Sequence, residues 1–562
     1  MKKILKKKAW IALGLAATLS GTMLASACGG RQQTEVEIDK NKTQLYVQNF
    51  DGGIGTRWLY NVRDRFEEAY KDTPFEDGKK GVQLIITANK QAGEGLTISE
   101  NTNEIFFSEG VGYYDIVLND ELLDISDIAN EIFAQNGVSI DQKYRDGLAF
   151  ADRNTDGVGE VYALPHYEVY GGVAYNKMIF DDYKLYIEGD ENGDMIRDED
   201  GMPSFTNASG TLFKGMDGIP NTYDDGLPAT WSDFFLLCDE MLGKDVTPFI
   251  LNGQYNYYLY YFCYAAWAAY GGYNDLQSVV SYDETVNYVT NIVENADSIL
   301  GYDITSETRN VTNETGYLAT GSKAKLVALA ATEKLLKGDY FYKPGLLSTV
   351  SHLNAQEIYI NSIYNNKPIA MLIDGSWWEN EADSAFQTLG SKAPQYSREN
   401  SSYGWMALPN AIDENDTNGD TVTPADYNFI KAYAMVNRKT PKSKIPLAKT
   451  FLKFCYSLDE LRNFTVQTGI ARGLNYDLTE QNRKDMSSYA NEIWNYRADR
   501  KVINPITNNR LTIESGISID NTWQSSYGVP NPYMFDNANS LQWFNNMKKA
   551  ESQWNELYGE FF

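Results

Sequence analysis

The chain has 562 residues, with 49 Lys and Arg against 76 Asp and Glu, a formal charge of -27. It is long enough for a large core, and that acidity argues against nucleic acid or an anionic lipid headgroup as the main partner, because phosphate binding needs a basic patch. Two histidines, His166 and His352, exclude most multi-His zinc sites and weaken any Ser-His-Asp reading, while 11 Trp, 40 Tyr and 24 Phe exceed ordinary needs and suit a surface that stacks on a neutral ligand.

The amino terminus is basic over 1–8, apolar and small from Ala9 to Leu24, and then reads Leu24-Ala-Ser-Ala-Cys28-Gly-Gly30. That is the grammar of a secretory signal with a cysteine at the cleavage point. The run is too weakly apolar for a comfortable membrane span, and no later stretch of 18 apolar residues follows. The segment resembles a bacterial lipoprotein signal, which implies cleavage before Cys28 and lipidation of its sulfur. Ala25 stands where that family places Leu. The alternative is an ordinary secreted protein cut after Ala25 or Ala27. Loss of residues 1–27 removes five Lys and no acid. Residues 28–42 read as a polar tether between lipid and body.

The body alternates strands and helices. Gln44–Gln48 reads as a strand, Asn49–Gly55 as a Gly-rich turn, and Trp58, Leu59, Val62, Phe66 and Tyr70 as one face of a helix, to which Trp58 is assigned. Residues 81–87 and 114–118 read as second and third strands, a β-α-β start that predicts an α/β domain with a parallel-type sheet. Loops at the carboxyl ends of such strands are where ligands bind. The Asn49–Gly55 turn is one of them, although it lacks G-x-G-x-x-G and a Walker lysine. Cys238 follows a capping-box-like Thr230-x-x-Asp233 on a helical face, and Cys455 shares a face with Leu447, Phe451 and Leu452; both read as small core residues. The aromatic run Tyr255–Tyr264 reads as a buried helix with one end near a cleft.

Four further features follow in order: Tyr162-Ala-Leu-Pro-His-Tyr-Glu168 leading to Tyr175-Asn-Lys177; an apolar strand over 366–374 ending in Gly-Ser-Trp377-Trp378; a strand over 431–437; and a turn, Lys439–Lys444, before an amphipathic helix over 447–458. Together they resemble the extracellular solute-binding proteins of ABC importers, in the sugar-binding family related to the maltose-binding protein. The resemblance implies an α/β, two-lobed periplasmic-binding-protein-like fold with a hinge and an interlobe ligand cleft. It places one lobe at 43–165 plus 430–475 and the other at 166–429 plus 476–562, with an insertion at about 184–228. It further implies a carbohydrate ligand, an oligosaccharide on the aromatic content, importer permease subunits as partners, a monomer, and an extracytoplasmic location on the cell membrane through Cys28.

A sugar offers apolar C–H faces and a rim of hydroxyls, so its site needs flat aromatics and edge acceptors. In the family the first Trp of the matching turn stacks on the sugar, which points to Trp377; Trp378 is either a second platform or packing beneath it. Asp51 and Glu168 are candidate hydroxyl acceptors, Glu168 otherwise being a solvated loop acid. Arg472 is a candidate fork on vicinal hydroxyls or an interdomain ion pair. Trp523 and Tyr533 lie in an irregular Trp/Tyr/Pro/Asn stretch of ligand-loop composition. Asp190, Asn192, Asp194, Asp198 and Glu199, with the Ile196 carbonyl, space oxygens as calcium ligands, in a structural role pinning the insertion. The spacing resembles the calcium loop of the alginate-binding relatives, while an acidic turn explains the same residues. Asp152-Asn154-Asp156 and Asp416-Asn418-Asp420 are partial repeats of it. No catalytic residue and no cofactor for chemistry is expected. The alternatives are a binder of peptides or other solutes, and a secreted glycan-active enzyme; with 76 acids a carboxylate pair such as Asp374 and Glu379 can always be nominated, and no eightfold strand-helix repeat is visible.

Overall fold

The computed structural model describes residues 37–93, 96–150 and 159–562. The basic and apolar start, Cys28 and most of the tether lie outside the described residues, as does the partial calcium repeat at 152–157. Residues 41–562 form one unit.

In chain order the elements that frame the site are β1 (Thr43–Phe50), α1 (Arg57–Ala69), β2 (Val82–Asn89), β3 (Ile105–Glu109), β4 (Ala163–Pro165), β5 (Gly171–Asn176), α2 (Trp231–Gly243), β6 (Thr247–Ile250), α3 (Tyr257–Ser281), α4 (Lys323–Lys337), α5 (His352–Ser362), β7 (Ile369–Gly375), α6 (Trp378–Glu381), β8 (Tyr403–Met406), β9 (Ala425–Tyr427), β10 (Ala432–Val436), α7 (Ile445–Cys455), α8 (Leu458–Thr468), α9 (Ser488–Ala498) and β11 (Lys501–Ile503). Two sheets carry them. The first runs β2-β1-β3-β10-β4, and the second β6-β7-β5-β8. In the first, β1 pairs parallel with β2 and β3, while β10 is antiparallel to β3 and β4. In the second, β6 and β7 are parallel and β5 is antiparallel to both β7 and β8. Central strands such as β7 and β10 are buried along their whole length, which is why they read as unbroken apolar runs.

The third strand is a correction. Residues 114–118, expected as a strand, lie in a short helix, Tyr113–Leu118, and the strand is β3. Tyr113, Ile116 and Val117 are the buried side chains, a spacing that one helical face satisfies and an alternating strand does not. The remaining strand and helix expectations correspond to observed elements. The aromatic run is the first half of α3, buried on nearly all sides. Its axis breaks at Gly272, at φ 64°, where Val422 and Thr423 come so close that a side chain would collide with them. Helix α2 starts as expected, with Thr230 Oγ1 accepting from Asp233 N at 3.1 Å. Cys238, Cys263 and Cys455 are free and buried.

The chain passes between the sheets at 166–170, at 428–431 and after α8. These passages are tied to one another. Glu168 N donates to Ala471 O at 3.1 Å, Val169 N to Asn428 Oδ1 at 3.0 Å, and His166 N to Ala432 O at 2.9 Å. Asn428 N in turn donates to Ile503 O of β11 at 2.9 Å. Three neighbouring crossovers, short and mutually bonded, make a natural hinge. Among the described residues no helix is long and apolar enough to cross a membrane.

Candidate functional site

The carboxyl ends of β1 and β3 face the carboxyl end of β7 and the amino end of its antiparallel neighbour β5 across the gap between the sheets. After β1, the Gly-rich turn is fixed from within: Thr56 Oγ1 donates to Asp51 Oδ1 at 2.9 Å, Asn49 Nδ2 to Thr56 Oγ1 at 3.1 Å, and Gly55 N to Gly52 O at 2.8 Å. Asp51 is exposed at its rim. Gly53 lies against the Trp377 indole so closely that any side chain there would overlap the ring. Asn380 Nδ2 donates to Gly53 O at 3.1 Å. The structure therefore brings together two sequence-predicted features, the Asp51 turn and Trp377, from different sheets.

Around Trp377 the surroundings are aromatic on one side and acidic on the other. Its ring meets Tyr261 edge-on at 5.7 Å and Phe429 at 5.7 Å, and Tyr261 and Phe429 stack at 4.0 Å. Tyr257 and Tyr258 continue this wall along α3, at 5.6 and 5.1 Å from Tyr261. Trp377 Nε1 donates to Glu381 Oε2 at 3.3 Å, and Gln356 Nε2 donates to the same oxygen at 3.0 Å and to Asp374 Oδ2 at 3.2 Å. His352 Nε2 lies 3.6 Å from Glu381 Oε1. From the other sheet Glu109, the last residue of β3, accepts from Tyr167 Oη. Burial pushes the Glu109 carboxyl up to about 7. Burial, and then the charge of Glu381, hold Asp374 well above the carboxylate range. Phe429 also borders a cavity of about 200 Å³, whose lining includes Tyr114, Asp115, Lys431, Tyr427 and Asp520.

The other predicted residues lie elsewhere. Trp378 points inward, fully buried, with Tyr403, Tyr359 and Tyr489 at 4.8, 5.6 and 5.6 Å. Trp523 is buried under α3 against Trp267 at 5.5 Å. Tyr533 is 49% exposed, and its hydroxyl donates to Leu346 O at 3.0 Å. Glu168 lies on the crossover but is buried and not solvated: it pairs with Arg497 and accepts from Tyr170 Oη at 2.8 Å, at the hinge. Arg472 is fully buried, 4.1 Å from the Phe464 ring and 4.8 Å from Trp58, with Nη1 donating to His166 O and Nδ1 at 3.1 and 2.8 Å. Burial and the adjacent guanidinium keep His166 well below its ordinary value, so its ring is the neutral acceptor that this contact requires.

In the insertion, Asp190 Oδ1 accepts from the backbone N–H of Asn192 and Asp194, and Asp198 Oδ1 from those of Asp200 and Met202. Each carboxylate closes its own tight turn. Asp194 pairs with Lys214 at 2.7 Å, the Ile196 carbonyl accepts from Ser204 N, and Glu199 is exposed. Asp416 likewise serves its own loop, accepting from Ile412 N and Tyr270 Oη. Among the described residues no three His, Cys, Asp or Glu side chains gather as a metal centre.

Glu109, Tyr261, Gln356, Glu381 and Phe429 were not picked out from the sequence as binding residues. Glu109 was within reach: Ile105-Phe-Phe-Ser-Glu109-Gly110 has the same form as Ile373-Asp374-Gly375, an apolar strand ending in an acid before Gly. The others depend on which face α3, α5 and α6 present, and no local pattern states it.

No family model matches the chain, and no curated protein matches its sequence. Among solved structures it is similar to the maltose-bound MalE3 of T. maritima, at 12% identity over 91% of this chain and 99% of that one, with a TM-score of 0.52. It is also similar to a chitin oligosaccharide binding protein, at 14% identity over 90% and 95%, with a TM-score of 0.50. The fold is that of two-lobed solute-binding proteins. The two sheets meet across the gap at Gly53 and Trp377.

Proposed function

We propose that the chain is a carbohydrate-binding protein that takes an oligosaccharide between its lobes and delivers it to an ABC importer. The observation that carries this is the meeting of Gly53 with Trp377, where a flat indole flanked by Tyr261 and Phe429 has carboxylates at its edge. Apolar rings for the sugar's C–H faces beside bidentate acceptors for its hydroxyls are what a saccharide site requires. The two structural neighbours are described as binding maltose and chitin oligosaccharide, in support of the same ligand class. Both neighbours are binding proteins, and no catalytic step is assigned to this chain.

The lobe limits follow the sheets in this reading: 43–165 with 430–475, and 166–429 with 476–562. Cys28 is its lipid anchor, holding a monomer on the outer face of the cell membrane beside the permease subunits. Calcium at Asp190–Glu199 would require Asp194 to leave Lys214, and its role would be to fasten the insertion. The reading is tested by titrating the purified chain with a panel of oligosaccharides, before and after Trp377→Ala. Binding by the parent and its loss in the variant is the expected result; parent and variant binding alike would move the site from this turn.

A further inference from the structure

The acidic side of the cleft is short of donors. Asp374, Glu381 and the Gln356 carbonyl are all acceptors, and the fully buried Gln356 Oε1 has no hydrogen-bond partner. The Gln356 amide is shared by the two carboxylates, so its N–H groups are already spent. Gly375 N donates to Asp374 Oδ1 at 2.7 Å, and Trp377 Nε1 gives Glu381 one further bond. Among the described residues no Lys or Arg lies within 4.0 Å of Asp374 or Glu381, and His352 is the single basic side chain near the pair. Buried acceptors without donors are costly, and two adjacent carboxylates without a counter-charge more so.

The aromatic side is also unusual. Elsewhere this chain lays its own cations over its rings: Arg472 over Phe464, Lys548 over Tyr288, Lys334 over Phe235 and Arg500 over Tyr496, at 4.1 to 4.4 Å. Among the described residues none lies over Trp377, Tyr257, Tyr258, Tyr261 or Phe429. The cleft thus presents π faces and carboxylates together with no Lys or Arg between them among the described residues, and with only the His352 imidazole 3.6 Å from Glu381. That combination recognises an organic ammonium.

We propose that the oligosaccharide taken by this cleft carries a protonated amine, as an amino sugar does, and that Asp374, Glu381 and Gln356 Oε1 receive it beneath the tyrosine wall of α3. The inference rests on the carbohydrate reading and narrows it. An ammonium brings three N–H donors and one positive charge to three acceptor groups, two of them carboxylates, whereas a hydroxyl at the same place brings one donor and no charge.

A matched pair of probes tests it: the β-1,4 tetramer of glucosamine and cellotetraose, which has the same frame with a hydroxyl where each amine stands. Calorimetric titration of the full secreted chain near neutral pH is expected to give at least tenfold tighter binding of the glucosamine tetramer. Glu381→Gln and Asp374→Asn, each checked for a folded melting transition, are expected to reduce that ratio below threefold; Glu381 is partly exposed, so its variant tolerates the change where buried Asp374 does not. Equal or tighter binding of cellotetraose, or a preference for the amine that survives in Glu381→Gln, overturns the inference and leaves the carbohydrate reading standing. If neither these tetramers nor any sugar of the wider panel binds, both fall.

Discussion

The indole of Trp377 has Gly53 against one edge and Glu381 on its Nε1, while that of Trp378 is ringed by Tyr359, Tyr403 and Tyr489. Trp377 is 6% exposed under Gly53, and truncating it removes a stacking surface that water can refill once the lobes part, so affinity falls by about 2–4 kcal/mol, the range of an interface hot spot. That is a thirty- to thousand-fold rise in Kd on the scale of about 1.4 kcal/mol per decade, read by calorimetry, with the melting temperature nearly kept. Trp378→Ala leaves a dry cavity in the core and is expected to cost about 3–5 kcal/mol of stability, read by denaturant unfolding. The Glu168–Arg497 pair is a second residue-scale case. Both side chains are buried, at 3% and 12% exposed. Removing one partner of a buried ion pair costs about 3–5 kcal/mol because the other charge is left unmatched. Arg497→Met is therefore expected to lower the unfolding midpoint markedly, and a change within error would mean that the hinge does not depend on the pair.

At the scale of elements, the strand ends carry the site and the helices carry what the sequence hides. The Gly-rich turn after β1 and the Gly-Ser-Trp-Trp turn after β7 are legible because glycine and tryptophan interrupt apolar runs at the ends where α/β sheets bind ligands. Glu109 escaped notice because the strand was expected nine residues later, at Tyr114, where a helix buries Tyr113, Ile116 and Val117. Arg472 and Trp523 had the composition of cleft residues and are core residues, since exposure is decided by which layer covers them and not by their neighbours in sequence. The first half of helix α3 is apolar on nearly all sides, so its periodicity names no face, and the orientation of Tyr261 toward Phe429 is a property of packing. The insertion loop at Asp190–Glu199 gives an element-scale prediction. If it binds calcium, a chelator lowers the melting temperature of the parent, and Lys214→Met, which frees Asp194, raises the response to added calcium. A melting curve indifferent to both additions assigns Asp194 to Lys214 alone.

For the molecule as a whole, the contacts between Gly53, Trp377 and Asn380 join the lobes, and the hydrogen-bonded crossovers at 166–170 and 428–431 hold the axis about which they part. Ligand that touches both lobes favours the joined state, so the radius of gyration in solution is expected to fall on adding saturating sugar; an unchanged scattering curve would count against a hinged binder. Charge acts on the same scale. Burial raises Asp275 and Asp426 to about 6, and Glu109 to about 7. These folded values lie above the unfolded ones near 4, so the folded chain retains protons that the unfolded chain has released. Their stabilising contribution is complete below about pH 4 and is lost as pH rises through 6 to 7. Acidification toward pH 5 also relieves repulsion in a chain of formal charge -27. The melting temperature is expected to be higher at pH 5 than at pH 8, and Asp426→Asn to flatten that dependence.

The position of Trp377 has an optical consequence. Trp58, Trp231, Trp267, Trp378, Trp405, Trp523, Trp543 and Trp554 are sealed inside the lobes, at 1% exposure or less, whatever the angle between them. Trp377, covered by Gly53 from the opposite lobe, is an indole whose hydration changes when the lobes separate. Its emission is expected to shift to longer wavelength on opening and back on closing, and to vanish from the difference spectrum in Trp377→Phe. The molecule thus contains its own fluorophore for timing the motion, with no dye attached and with the eight sealed indoles as a steady background.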